Sequence, residues 1–440
     1  MNKKLLSLAV AAALTAPAAV MADATLYGKV HASLDYADVK NAYSTPTLEV
    51  DPNNPNRVIN VVDGIDYNGW GMSSSGYIPG EGRASRLGVK GSEDLGGGLK
   101  AIYQIELGIN LNDTNNNVLS NSDTISYRNT FVGLAGGWGT ALMGRHDTPM
   151  KISTGKLDLF ADTMADYNGT VGFRDLRADN AVAYISPSLS GFTLAAAIVP
   201  SGGATGAGKG LNPDESSIAG AYSIAGIYSN GPFYASVAYE SLGNDHFNDA
   251  KTSLFNSNCP YTDPAQPAPG QAYDSYCDYQ DSDANAWRIG LGLLDWNGFT
   301  LTAVYEDRDE FFSDSFEAFT DPSDAGNNYY LPGGAQSAQL WQIQAGYRFG
   351  NMMLKGMYGQ AEYDADDFEV GSNYVLDAVT ALEAEATYSG TTETWGVGFD
   401  YNFSKRTTAY VLYTEVDSDQ EEFVKGASWS GFSLGMMHSF

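Results

Sequence analysis

The sequence predicts an all-β protein, a sixteen-stranded antiparallel transmembrane β-barrel with short turns at one end and long loops at the other. Three observations predict it. The 440 residues include 49 Gly, 28 Tyr, 19 Phe and 7 Trp, a composition suited to many strands, tight turns and interfacial aromatic rings. Beyond residue 22 no stretch approaches the ~18 apolar residues that a spanning helix needs. The chain closes on a strand in which Phe432, Leu434, Met436, His438 and Phe440 share one face, opposite Ser433, Gly435, Met437 and Ser439, because side chains alternate with period two. A lipid-ready face without spanning helices leaves a closed barrel, since backbone groups in lipid need internal partners.

Residues 1–22 read as an export signal. Lys3 and Lys4 form the basic start, Leu5 to Val20 an apolar stretch interrupted by Pro17, and Val20-Met21-Ala22 a small-residue cleavage site before Asp23. The mature chain is then 23–440. Its strands are expected at 24–37, 83–93, 99–110, 126–135, 139–147, 179–187, 192–200, 217–228, 233–241, 284–294, 299–308, 338–349, 352–363, 392–403, 407–417 and 428–440, each an alternating run bounded by turn residues. In 338–349, for example, Trp341, Ile343, Ala345, Tyr347 and Phe349 oppose Gln342, Gln344, Gly346 and Arg348. In 99–110, Tyr103, Ile105, Leu107 and Ile109 oppose Gln104, Glu106, Gly108 and Asn110.

Connections alternate short and long. Tight turns such as Asp94-Leu95-Gly96-Gly97-Gly98 and Asp295-Trp296-Asn297-Gly298 separate much longer segments, the arrangement of periplasmic turns and outer loops. Without Lys3 and Lys4 the chain has 22 basic residues against 53 acidic ones, which excludes nucleic acid as a partner because that surface must be basic. The loops 38–80, 111–125, 201–216, 242–283, 309–337, 364–391 and 418–427 together hold 32 acidic and 5 basic residues. Segment 148–178 differs: Asp158, Asp162, Asp166 and Asp175 meet Lys151, Lys156, Arg174 and Arg177. That balance marks a different environment from the other loops.

Several motifs carry a resemblance. Thr25-Leu26-Tyr27-Gly28-Lys29, the run from Ser85-Arg86-Leu87-Gly88 to Gly98-Leu99-Lys100, Arg128-Asn129-Thr130-Phe131-Val132-Gly133-Leu134 and Gly144-Arg145-His146-Asp147 resemble the general, non-specific porins of Gram-negative bacteria. The terminal aromatic strand is similar to the C-terminal signature of outer-membrane barrels. The resemblance implies a homotrimer with three separate pores, a third loop folded into each lumen, and a constriction where a basic wall faces loop carboxylates. On this chain the matching bases are Lys29, Arg86, Arg128 and Arg177, and the matching carboxylates are Asp162 and Asp166. Strand parity agrees with the wall positions: Lys29 lies opposite Leu26, Gly28 and Val30, Arg86 opposite Leu87 and Val89, Arg128 opposite Phe131. A base turned toward lipid near the midplane would cost about 2–4 kcal/mol. The first loop, 38–80, is longer than is common in the family, and Val58-Ile59-Asn60-Val61-Val62 is expected in an extra hairpin.

Chemistry in the covalent sense finds no support. Gly431-Phe432-Ser433-Leu434-Gly435 matches a nucleophile motif, but that motif needs a strand-to-helix elbow and here lies inside a strand. His31, His146, His246 and His438 show no metal-ligand spacing. No enzyme activity and no cofactor are expected. Asp364-Ala365-Asp366-Asp367, Asp281-Ser282-Asp283 and the other outer-loop acids are candidates only for weakly bound Ca²⁺ or Mg²⁺, which would bridge to lipopolysaccharide around the barrel. Cys259 and Cys277 fall in one Pro-rich loop, and export to an oxidising space predicts a disulfide between them. The reading is a passive outer-membrane channel for small hydrophilic solutes and ions. Two alternatives stay open: a solute-specific channel, and a surface or adhesive barrel with acidic loops and a closed lumen.

Overall fold

The computed structural model describes residues 24–42, 48–51, 54–61, 65–73, 83–111, 125–200, 217–242, 284–309, 318–320, 328–330, 337–364, 390–419 and 428–440. The expected export signal, Cys259, Cys277 and most of the acidic outer-loop residues lie outside the described residues.

In chain order the strands are β1 (Thr25–Ala42), β2 (Leu48–Asp51), β3 (Asn54–Val61), β4 (Ile65–Ser73), β5 (Arg86–Gly96), β6 (Leu99–Ile109), β7 (Ile125–Gly136), β8 (Gly139–Asp147), β9 (Arg177–Ile185), β10 (Phe192–Val199), β11 (Ala221–Asn230), β12 (Phe233–Leu242), β13 (Ala284–Trp296), β14 (Phe299–Asp309), β15 (Ala318–Thr320), β16 (Asn328–Tyr330), β17 (Ser337–Phe349), β18 (Met352–Asp364), β19 (Gly390–Asn402), β20 (Thr407–Ser418) and β21 (Ser428–Ser439). Two short helices, α1 (Pro149–Thr154) and α2 (Tyr167–Thr170), fall between β8 and β9. Sixteen strands close a ring. β1 pairs with β5, β5 to β14 pair in succession, β14 pairs with β17, and β17 to β21 lead back to β1. All these pairs are antiparallel, so every backbone ladder inside the wall is satisfied by a neighbour.

The outward positions are apolar and exposed: Val30, Leu291, Leu354, Val397 and Leu434 are about half accessible. On a water-soluble surface such a band would drive association; on a barrel it is the contact with lipid. Among the described residues no helix is long and apolar enough to cross a membrane. At the short turn after β5, Gly96, Gly97 and Gly98 all have positive φ, at 85°, 62° and 81°, a region that residues with a Cβ avoid. The seam between β21 and β1 continues past Ser439: Gly28 N–H donates to the Phe440 carbonyl (3.1 Å) and Phe440 N–H to the Gly28 carbonyl (3.0 Å). The Phe440 ring occupies the space where any side chain at position 28 would stand, so Gly28 and Phe440 fit as a pair.

The first loop departs from expectation. β1 runs on to Ala42, and β4, inside the segment expected as loop 38–80, joins the wall beside the upper part of β1 with Ser33 opposite Ser73 and Tyr36 opposite Trp70. Below it β5 takes the same side of β1, with Lys29 opposite Arg86. Alternation concealed the strand end because Ala37 and Val39 are apolar on the lumen face, where they are buried. Between the two segments the Ser85 hydroxyl accepts from His31 N–H and donates to the His31 carbonyl, both at 2.9 Å, in place of a backbone pair. Buried Arg83 and Asp35 form an ion pair at the same junction (2.6 Å). The expected hairpin is present, with Val50 opposite Val58 and Leu48 opposite Val61.

Candidate functional site

Segment 148–176, the third loop, enters the lumen. Thr148 caps α1 by accepting from Lys151 N–H (3.4 Å), and Pro149 occupies the first turn, where a missing N–H costs nothing. From there the loop lays apolar side chains along one half of the wall. Met150 packs on Ala225, Ala238 and Ala286. Leu157, Tyr167, Val171 and Phe173 meet Tyr234, Val304 and Leu340. Phe160, Met164 and Ala165 meet Ala37, Val39, Leu412 and Trp429. Phe160 and Met164 are fully buried, each worth about 1.5–3 kcal/mol relative to exposure. The wall makes room with small residues: a side chain added at Gly290 would strike Leu157, at Gly398 Phe160, and at Gly431 Met164.

Charged contacts reinforce this packing. Arg288 of β13 is completely buried. Its guanidinium donates to Glu306 (2.5 Å), Asp175 (2.6 Å), the Arg174 carbonyl (2.7 Å) and the Thr154 hydroxyl (2.9 Å). Arg308 pairs with the other Glu306 oxygen and with the Gly172 carbonyl. On the next part of the wall the Lys355 ammonium donates to the Leu159 carbonyl (2.7 Å) and pairs with Asp400 (3.0 Å). One strand cluster thus grips the loop by its backbone as well as its side chains.

The loop tip crosses to β1. Asp162, in a left-handed conformation at φ 62°, presents its carboxylate to the Lys29 ammonium. Its N–H donates to an Asp166 oxygen (2.6 Å), and the other Asp166 oxygen accepts from Asn168 N–H (2.9 Å) at the cap of α2. Burial pushes the Asp162 carboxyl up, but Lys29, helped by Arg86 and Arg128, more than reverses this and holds it below the usual carboxylate range.

Opposite the loop, six side chains from successive strands form a charge ladder. Lys29 and Arg86 stand opposite each other on β1 and β5. Glu106 of β6 accepts from Arg128 Nε of β7 (2.7 Å) and from the Tyr27 hydroxyl (2.9 Å). Asp147 of β8 pairs with Arg177 of β9 (2.9 Å), and Asn129 bridges them by donating to Asp147 (2.9 Å) while accepting from Arg177 (2.8 Å). Among the described residues Arg86 has no carboxylate at ion-pair distance. A cavity of about 450 Å³ is lined by Tyr27, Lys29, Arg86, Glu106, Arg128 and Asp147, among others.

Of the six expected site residues, Lys29, Arg86 and Arg128 line this opening, and Arg177 and Asp162 pair with its lining residues Asp147 and Lys29. Asp166 is placed differently. It is 5 % exposed, and both its oxygens are engaged by backbone N–H groups within the loop. Sequence reasoning missed Glu106 and Asp147 as wall members. Glu106 was visible on the polar side of its strand, and Asp147 ended a motif already singled out. It also missed the Arg288–Glu306–Arg308 anchor.

Residues 7–421 match the Gram-negative porin family. The chain belongs to that family. Among similar porins, the major outer membrane protein P.IB of Neisseria sicca is 26 % identical over 415 residues, covering 93 % of this chain and 92 % of the relative. P.IB of Neisseria meningitidis serogroup B, serotype 15, is 26 % identical over 446 residues and covers all of both chains. In fold, the porin resembles the anion-selective porin from Comamonas acidovorans (TM-score 0.56, 19 % identity, 95 % of this chain and 99 % of that one). It also resembles Salmonella typhi OmpF (TM-score 0.56, 15 % identity, 95 % and 97 %). As a porin of this family it resides in the outer membrane and is a passive channel for small solutes.

Proposed function

We propose that this porin selects solutes at one narrow place, between the third-loop tip and the wall of β1 and β5–β9. The observation that carries the reading is the Lys29–Asp162 pair, which closes the loop against one end of the charge ladder and leaves Arg86 and Arg128 beside the remaining opening. Small hydrophilic solutes and ions would pass in the field between bases and carboxylates, which acts at lower effective dielectric than in bulk water. No covalent chemistry and no energy source enter this reading. Family membership also supports a homotrimer set in lipid and lipopolysaccharide.

Conductance of the purified porin in planar bilayers, with reversal potential in a salt gradient, tests the filter. Variants at Asp162 and Arg86 should move the reversal potential in opposite directions. Potentials that stay put in both would place the constriction elsewhere while the channel itself stands.

Divalent cations at the acidic outer loops would bridge the trimer to lipopolysaccharide through carboxylate oxygens. A chelator that leaves that association unchanged counts against bridging. The Cys259–Cys277 disulfide should leave no free thiol in freshly prepared protein; two reactive thiols would reject it.

A further inference from the structure

Between the apolar grip of the third loop and its tip lies Asp158, a buried acid that the filter itself does not use. Its carboxylate sits at the base of the turn that carries Asp162. One oxygen accepts from Phe160 N–H (2.8 Å) and from the Gln344 amide of β17 (2.9 Å); the other accepts from Tyr167 N–H (3.3 Å). Phe160 and Tyr167 flank the tip, so this one side chain ties both ends of the turn together and to the barrel wall. Gln344 completes the seat by accepting from Leu159 N–H (2.6 Å).

We propose that Asp158 is the positioning residue of the constriction: its buried carboxyl sets how firmly the loop tip, and with it Asp162, is seated against the wall, and protonating it tightens that seat. This rests on the reading of the loop tip as the filter. The charged and titratable groups that face Asp158 among the described residues are the Lys355 ammonium from β18, paired in turn with Asp400 of β19, and the Tyr167 phenol from the loop; β17 contributes only the neutral Gln342 and Gln344.

The sign follows from burial. Removal from water pushes the Asp158 carboxyl up to about 6, against the downward pull of the Gln344, Phe160 and Tyr167 donors and of Lys355. A carboxyl released into the aqueous lumen returns to the ordinary value of about 3.9. The seated loop therefore binds the proton more strongly than a released one. By linkage, acid stabilises the seated state, starting as pH falls through about 6 and complete below the ordinary carboxylate range. Raising the pH through the same window leaves a buried, ionised carboxylate and weakens the seat.

Single-channel recording on the assembled porin tests this. Wild-type open-channel noise, which reports motion of the tip at the constriction, should fall severalfold as pH drops through about 6. Asp158→Asn keeps an acceptor oxygen but cannot ionise, so its current should be quiet and flat across that range. Every histidine remains in this variant, so a flat profile assigns the titration to Asp158. A noisy Asp158→Asn channel that retains the wild-type pH profile overturns the proposal, as does a wild-type channel whose noise ignores pH. Gln344→Met gives an independent arm. Loss of the amide donor should move the midpoint upward, and an unchanged midpoint would also overturn the assignment. A protein with no conductance under any condition would instead strike the channel reading itself.

Discussion

Both halves of the lumen wall carry charge, yet water reaches only one of them. On β12–β14 and β17, Glu240, Arg288, Glu306, Arg308, Gln342 and Gln344 all point inward and are almost completely buried. On β7 and β9, within the wall of β5–β9, the side chains of Arg128 and Arg177 keep 19 % and 13 % of their surface; Arg128 lines the open cavity and Arg177 pairs with Asp147 of its lining. Chemistry alone does not separate the two sets, since both alternate acids with bases. The third loop separates them. By covering one half with Met150, Leu157, Tyr167 and Phe173 it converts lumen charges into anchors, and the half it leaves uncovered becomes the solute path. Inward orientation is therefore necessary for a pore residue and not sufficient.

The sharpest way to break this distinction is Arg288→Met. Taking one member from a buried ionic cluster leaves Glu306 and Asp175 without their shared partner, at a cost of about 3–5 kcal/mol. Hydrogen exchange or proteolysis should find the third loop released while the barrel persists. Unchanged protection across 148–176 would mean that the covered half is not an anchor.

On the uncovered half, Arg86→Ser combined with Arg128→Ser should widen the pore and turn the reversal potential toward cations. Asp162→Asn, which frees the Lys29 ammonium, should turn it toward anions by a smaller step, because it removes one charge where the arginine pair removes two. Asp166→Asn sharpens the contrast. Its oxygens hold the loop backbone, so it should loosen the tip and raise channel noise more than it shifts selectivity. Glu106→Gln should give a weaker anionic shift by releasing Arg128. The smallest effect is expected at Arg145 and Asp179, paired at the surface with 30 % and 66 % of their side chains exposed. There Arg145→Ala should change stability by about 0–1 kcal/mol in thermal denaturation.

The strands were legible because a barrel between lipid and water imposes polar–apolar contrast on every second residue. β8 was read to its ends, and parity put Lys29, Arg86 and Arg128 on the polar strand face, whereas Arg177, expected within segment 148–178, opens β9. Reading failed where that contrast was lost. Ala37 and Val39 face the lumen but pack beneath the loop tip, so β1 looked shorter than it is. Asp162 and Asp166 share a residue type and a loop, and only the turn geometry assigns one to Lys29 and the other to backbone N–H groups. Arg288 sits on a polar strand face like any pore-lining arginine. What the sequence did contain was a row of lumen-facing glycines, Gly290, Gly346, Gly398 and Gly431, that clears space for loop side chains. Small residues on a lumen face are the readable trace of something packed over them.

The seam has a kinetic consequence. The strand that begins at Thr25 finds its partner in the strand that ends at Ser439, so the ladder that closes the ring is also the contact with nearly the greatest sequence separation in the chain. Contacts of high order form late, because the intervening chain must surrender its entropy before they reward it. Until then β1 and β21 each present a long unpaired edge, the feature that invites strands of other chains to add. Gly28 and Phe440 meet at the end of this ladder, so their fit bears on how long those edges stay open to the wrong partner.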